Sequence, residues 1–291
     1  MSRAAGPDRV GHSPGVVRTG AALREIRRRF TSLSPDGAEK ATMVASRSFT
    51  QASLRVLAVT GVIFVLVLIG RLWTGGYLDR DPIWRFPAQG RPAPVSVLYF
   101  SGDAGIRFGM GNYMAHRFPE RGIDFTALST STVFRLGGNR AKVNAVVAGA
   151  VRDAEKRAGA RPVVLIGQSY GADILQTGLA ALPRSLRFGI GGVVLIVPGT
   201  ETFFRADPLG ILYGFRPDSV STTTLRRIDW VPLTCIHGIE ETDSVCPLLK
   251  APNVTSVGLP GGHVMHRDAP TLAAAVLKAI ERATPVADAR R

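Results

Sequence analysis

The chain has 291 residues, 45% of them apolar and 20% charged, a globular composition that excludes disorder throughout. Its 32 glycines and 19 prolines follow no period, and two cysteines are too few for a disulfide-framework miniprotein or a four-cysteine zinc site. The net charge of +14 is not one concentrated nucleic-acid footprint, because residues 1–73 hold 11 basic and 4 acidic side chains and residues 74–291 hold 25 and 18.

Residues 1–53 are rich in Ser, Gly and Arg without sustained periodicity and read as a disordered basic tail. An uncharged run follows from Val56 to Gly70. Fifteen helical residues span about 22 Å, short of a ~30 Å hydrocarbon core. Snorkelling Arg55 and Arg71 with an interfacial Trp73 extend the segment to 54–73, long enough to span as a signal anchor. Ten basic residues lie within 1–55, so the positive-inside rule keeps this side in the cytoplasm and exports the rest to the periplasm. Residues 74–94, punctuated by Gly75, Gly76, Pro82, Pro87, Pro92 and Pro94, read as a flexible linker.

The chain then alternates. Apolar runs at Val95–Phe100, Ile123–Leu128, Pro162–Ile166, Gly192–Val197, Val231–Ile236 and Val254–Leu259 predict strands. Helical patterns fall near Met110–Glu120, from an Asn139 N-cap to Ala158, over Tyr170–Leu182 and over Ala269–Ala283. Short continuous apolar strands separated by helices predict an α/β domain over 95–285 with a mostly parallel sheet buried on both faces, and 286–291 as a tail.

Gly167-Gln168-Ser169-Tyr170-Gly171 lies between a predicted strand and a predicted helix, the context a nucleophile elbow requires. The tight turn lifts the Ser169 hydroxyl above the sheet, and the following helix aims its first amides at a developing oxyanion. The base should follow in the order Ser, acid, His. Of five histidines, His263 in Leu259-Pro260-Gly261-Gly262-His263 has the right order and loop type, with His266 as its rival. The acid belongs to the loop after the preceding strand, where counting from Gly238 favours Glu241 and counting back from Pro247 favours Asp243. Ser101-Gly102-Asp103-Ala104-Gly105, after the first exported strand, supplies a second oxyanion amide from Asp103 beside that of Tyr170.

Four motifs resemble the VirJ/AcvB family of bacterial virulence proteins: Tyr99–Gly105, Leu165–Asp173, Cys235–Pro247 and Leu259–His263. The resemblance covers roughly Val95–Ala283. It implies an α/β-hydrolase fold exported to the periplasm and hydrolysis of lysyl-phosphatidylglycerol. It also implies Ser169 as nucleophile, His263 as base and Asp243 as acid, and it admits secretion-system proteins as partners.

The combined expectation is a serine hydrolase of the bacterial inner membrane, acting on a phospholipid or other ester, with no metal, no organic cofactor and no nucleic acid. A non-catalytic secretion-accessory module on the same fold is the rival. Asp173, Glu201, Glu240 and Glu241 are the candidates for holding a lysyl ammonium. Both cysteines follow the anchor, so an oxidising compartment should join Cys235 to Cys246 across the acid-bearing loop.

Overall fold

The computed structural model describes residues 35–211, 213 and 216–284; in the first helix, side chains are described at Lys40, Met43 and from Ser53 onward. Residues 1–34 and 285–291, most of the expected basic tail and all of the C-terminal one, lie outside the described residues. The chain divides into one unit ending at Leu66 and a second beginning at Val67.

Helix α1 (Pro35–Thr74) runs for 40 residues. The expectation of a disordered tail is therefore corrected over 35–53. Pro35 opens the helix at the position where its missing N–H is harmless, and the alanines at 38, 41, 45 and 52 favour its continuation. Within it, Ser53–Thr74 has 22 residues, and its most apolar stretch of 18 has a mean hydropathy of 2.4 with none of it buried. At ~1.5 Å per residue that is about 33 Å, enough to cross a bilayer.

Residues 74–94 are not a loose linker. Gly75, Gly76 and Tyr77 are buried, and the amides of Gly75 and Tyr77 bond back to the carbonyls of Arg71 and Leu72. Strand β1 (Ile83–Phe86) follows, bounded by Pro82 and Pro87. Prolines are tolerated at the ends of an edge strand, so residues read as linker breakers mark strand ends instead.

The remaining strands are β2 (Ser96–Phe100), β3 (Asp124–Leu128), β4 (Val163–Gln168), β5 (Ile190–Ile196), β6 (Glu201–Thr202), β7 (Ser219–Val220), β8 (Leu233–Gly238) and β9 (Val254–Leu259). Seven form one sheet in the order β1-β3-β2-β4-β5-β8-β9, with β1 antiparallel to β3 and every other pairing parallel. A β6–β7 ribbon stands apart. The helices are α2 (Gly109–Arg117), α3 (Thr130–Phe134), α4 (Arg140–Ala158), α5 (Tyr170–Leu179), α6 (Ser221–Leu225) and α7 (Ala269–Ala283).

Alternation along the strands divides the core. Leu98, Phe100, Leu165, Val193 and Leu195 join Val143, Val147 and Val151 of α4 in one cluster. Val97, Tyr99, Val164, Ile166, Val194 and Ile196 join Met114 of α2 and Val276 and Ile280 of α7 in the other. Burial on both faces explains why the strands read as unbroken apolar runs. Asn139 accepts from the Lys142 amide and Asp268 from that of Thr271, caps each contributing ~1 kcal/mol to α4 and α7. Strand order reverses at β2, with β3 on one side and β4 on the other. The loops leaving β2 and β4 therefore open a crevice at the carboxyl edge of the sheet, where ligands of open α/β sheets bind.

Candidate active site

Ser169 sits in that crevice between β4 and α5 with φ 51° and ψ −126°. Such a conformation costs a non-glycine residue ~1–3 kcal/mol and persists only where its surroundings over-determine it. Here the Ser169 amide donates to Ile196 O (2.8 Å), while its carbonyl accepts from the amides of Ala172 (2.8 Å) and Asp173 (3.1 Å). Both motif glycines are sterically required. A Cβ on Gly171 would stand 2.3 Å from the carbonyl oxygens of Phe100 and Ser101, and one on Gly167 would stand 2.6 Å from Ala172 Cα.

His263 Nε2 lies 2.9 Å from Ser169 Oγ, and its Nδ1 lies 2.5 Å from Glu241 Oε1. The carboxylate brought to the imidazole is thus that of Glu241, not Asp243, and the expectation drawn from the family resemblance is corrected. The cause is the turn directly after β8. The Ile239 and Glu240 amides bond to the carbonyls of Leu259 and Gly261, and the Glu241 amide returns to Gly238 O, so this residue swings beneath the His263 loop. Only glycine fits at 238, because a Cβ there would stand 2.2 Å from Gly262 O. Asp243, two residues on, is exposed; its carbonyl is drawn to the Thr200 amide at 2.9 Å. The rival His266 is also exposed and lies 3.9 Å from Glu240 at the surface.

The hydrogen bond that His263 Nδ1–H donates to Glu241 raises the His263 pKa above its ordinary value, against burial, which lowers it. The Glu241 side chain is 2% exposed, and its second oxygen is buried without a hydrogen-bond partner. With Nδ1–H donating to Glu241, Nε2 is left to accept the Ser169 proton. This relay can activate a serine hydroxyl.

The Ser101–Gly105 loop passes beside the serine, since a Cβ on Gly102 would lie 3.5 Å from Ser169 Cβ. Tyr170 opens α5, so its amide has no acceptor within the helix. Around this point the structure adds two phenols that the sequence did not single out, Tyr77 and Tyr213, to Tyr170 and the carboxylates of Asp103 and Asp173. Tyr213 donates its hydroxyl to Asp103 Oδ2 at 3.0 Å. The Tyr77 and Tyr170 hydroxyls are buried without a partner. Burial pushes the carboxyls of Asp103 and Asp173 upward, Asp173 the further, although Asp173 accepts from the Gly199 amide. Glu201 and Glu240, the other ammonium candidates, are exposed. Nothing in the sequence pairs residue 213 with residue 103; the course of the β5–β8 connection brings them together.

Cys235 and Cys246 are joined by a disulfide across a separation of 11 residues, enclosing the loop that carries Glu241. Closing a loop of about 12 residues stabilises a fold by ~3 kcal/mol on the chain-entropy model. The Cys235→Ala/Cys246→Ala chain should therefore unfold at a clearly lower temperature in detergent solution, and an unchanged midpoint would remove the bridge from the account of stability.

A family model described as bacterial virulence protein (VirJ) matches residues 94–284. No curated protein matches the chain in sequence. Among solved structures, the Bacillus licheniformis lipase BlEst2 is similar at a TM-score of 0.50 and 12% identity, over 68% of this chain and 98% of that one. TT1662 from Thermus thermophilus gives 0.48 at 17% identity, over 69% and 92%. MenH from S. aureus gives 0.49 at 11%, over 70% and 99%. The fold is that of the α/β-hydrolases.

Proposed function

The chain belongs to the VirJ family of bacterial virulence proteins, and we propose that it is a serine hydrolase of carboxylic esters, anchored in the bacterial inner membrane by Ser53–Thr74 with its second unit in the periplasm. The Ser169–His263–Glu241 relay carries the reading. His263 Nε2 takes the hydroxyl proton as Ser169 Oγ attacks the ester carbonyl. The oxyanion is met by the amides of Tyr170 and Asp103, and Glu241 stabilises the imidazolium. His263 then protonates the departing alcohol oxygen, and water enters by the same route to release the acid. The apolar helix and the disulfide support the membrane and the oxidising compartment.

The substrate we propose is an aminoacyl ester of a phospholipid, with lysyl-phosphatidylglycerol leading. Its support is the chemistry beside the serine: burial disfavours the charged forms of the Asp103 and Asp173 carboxyls, and an ammonium on the acyl side would restore them, with two buried phenols offering free hydrogen-bonding capacity. The test is lysine release from lysyl-phosphatidylglycerol vesicles, run beside hydrolysis of a neutral butyrate ester. Asp103→Asn keeps the backbone amide and removes the charge. A charge-assisted hydrogen bond contributes ~1.5–3 kcal/mol, so the variant should lose about tenfold or more in kcat/KM on the lysyl ester and far less on butyrate. Equal losses on both would end the ammonium reading and leave the hydrolase; no hydrolysis of any ester would end both.

A further inference from the structure

Several large apolar side chains of the second unit stand in solvent, and five of them lie on segments that meet at one edge of the sheet. Phe108 follows β2, Ile239 follows β8 and Val264 follows β9, and they are 60%, 65% and 51% exposed. All three lie on loops leaving the carboxyl ends of parallel strands, as Ser169 does. Because β1 runs antiparallel, pairing Ile83 with Leu128, the residues before it reach this same edge. There Trp73 and Leu78 are 50% and 57% exposed. Phe188, which precedes β5 at the opposite edge, is the contrasting case at 91%.

The last turn of α1 is fixed to this edge. The Arg107 guanidinium stands 5.0 Å from the ring centres of both Trp73 and Trp84. It donates to Trp73 O at 2.9 Å and to both oxygens of Asp79 at 2.9 and 2.7 Å. Trp73 meets Phe108 at 6.3 Å between ring centres. A Cβ on Gly105 would lie 2.8 Å from Thr74 O, so the helix end and the loop carrying Asp103 touch backbone to backbone. Arg71 and Arg80, flanking Trp73 and Leu78, are exposed.

We propose that this edge is a bilayer-docking face, seating the mouth of the Ser169 site on the lipid head groups where α1 leaves the membrane. The proposal rests on the anchor reading above. A domain on a slack tether would sample every orientation, whereas the Arg107 clamp holds the candidate oxyanion loop at the point of exit. The apolar rim enters the glycerol region, and Arg71 and Arg80 meet anionic head groups. A lipid ester at head-group depth then reaches Ser169 without leaving the bilayer.

The test places single cysteines at Phe108, Val264 and Phe188 in the full chain, whose native cysteines are paired, and labels each with an environment-sensitive fluorophore. The labelled proteins are reconstituted in phosphatidylethanolamine–phosphatidylglycerol vesicles and floated. Labels at 108 and 264 should shift to the blue and lose intensity to lipids spin-labelled near the head group, while the label at 188 stays in water. Flotation with all three labels in water, or with 188 quenched as strongly as the others, overturns the docking face and leaves the anchor standing. Failure to float overturns both.

Discussion

Replacing Ser169 by alanine is expected to abolish ester turnover and leave the fold intact. Removing the nucleophile from a comparable protease triad costs about 10⁶-fold in kcat, because serine and histidine act as one unit. The variant loses only the hydroxyl that meets His263 Nε2 at 2.9 Å. The backbone bonds that hold residue 169 at φ 51° come from Ile196, Ala172 and Asp173 and survive the change. A fluorophosphonate probe should label the natural chain and not the variant, with thermal unfolding midpoints close together. Labelling that persists in Ser169→Ala would move the nucleophile elsewhere. Intact folding, no labelling and no hydrolysis in the natural chain would favour the non-catalytic accessory module.

The sequence disclosed most where one residue type satisfies one constraint. Gly167 and Gly171 are legible because an elbow leaves no room for a Cβ on either side of Ser169. β9 and α7 match their expected limits, Val254–Leu259 and Ala269–Ala283, since breakers and an Asp268 cap bound each apolar pattern. Illegible features depend on tertiary partners. Pro82 and Pro87 look alike in a linker and at the ends of an edge strand; only pairing with β3 decides between them. Helix over 35–53 was hidden because polar, weakly periodic residues carry no core-facing stripe. Tyr213 reaches Asp103 across 110 positions, a distance at which local pattern conveys nothing.

Glu241→Gln should damage catalysis far more than Asp243→Asn, the reverse of the ranking that the family resemblance implies. Glu241 accepts from His263 Nδ1 and so leaves Nε2 free to take the serine proton. A glutamine amide can instead donate to Nδ1, which puts the ring proton on Nε2 and ends its role as acceptor. The equivalent change in a serine protease costs about 10⁴-fold. Asp243 is exposed and acts on His263 only through space, so its neutralisation should change turnover by no more than about fivefold, given that an exposed charge contributes ~0–1 kcal/mol. The pH profile separates a positioning carboxylate from a merely structural one. Catalysis needs neutral His263, and the Glu241 bond raises its pKa, so the acid limb of kcat/KM should lie above the ordinary histidine value of about 6.5. Glu241→Gln removes the largest raising cause while burial still lowers the pKa, so whatever activity remains should extend to lower pH. The same shift has a stability counterpart. Protonated His263 favours the folded state below its unfolded pKa, and that contribution fades as pH rises through the raised folded value. The variant should therefore lose stability on the acid side of neutrality while its activity limb moves to lower pH, two opposite movements that a simple loss of packing at Glu241 would not produce.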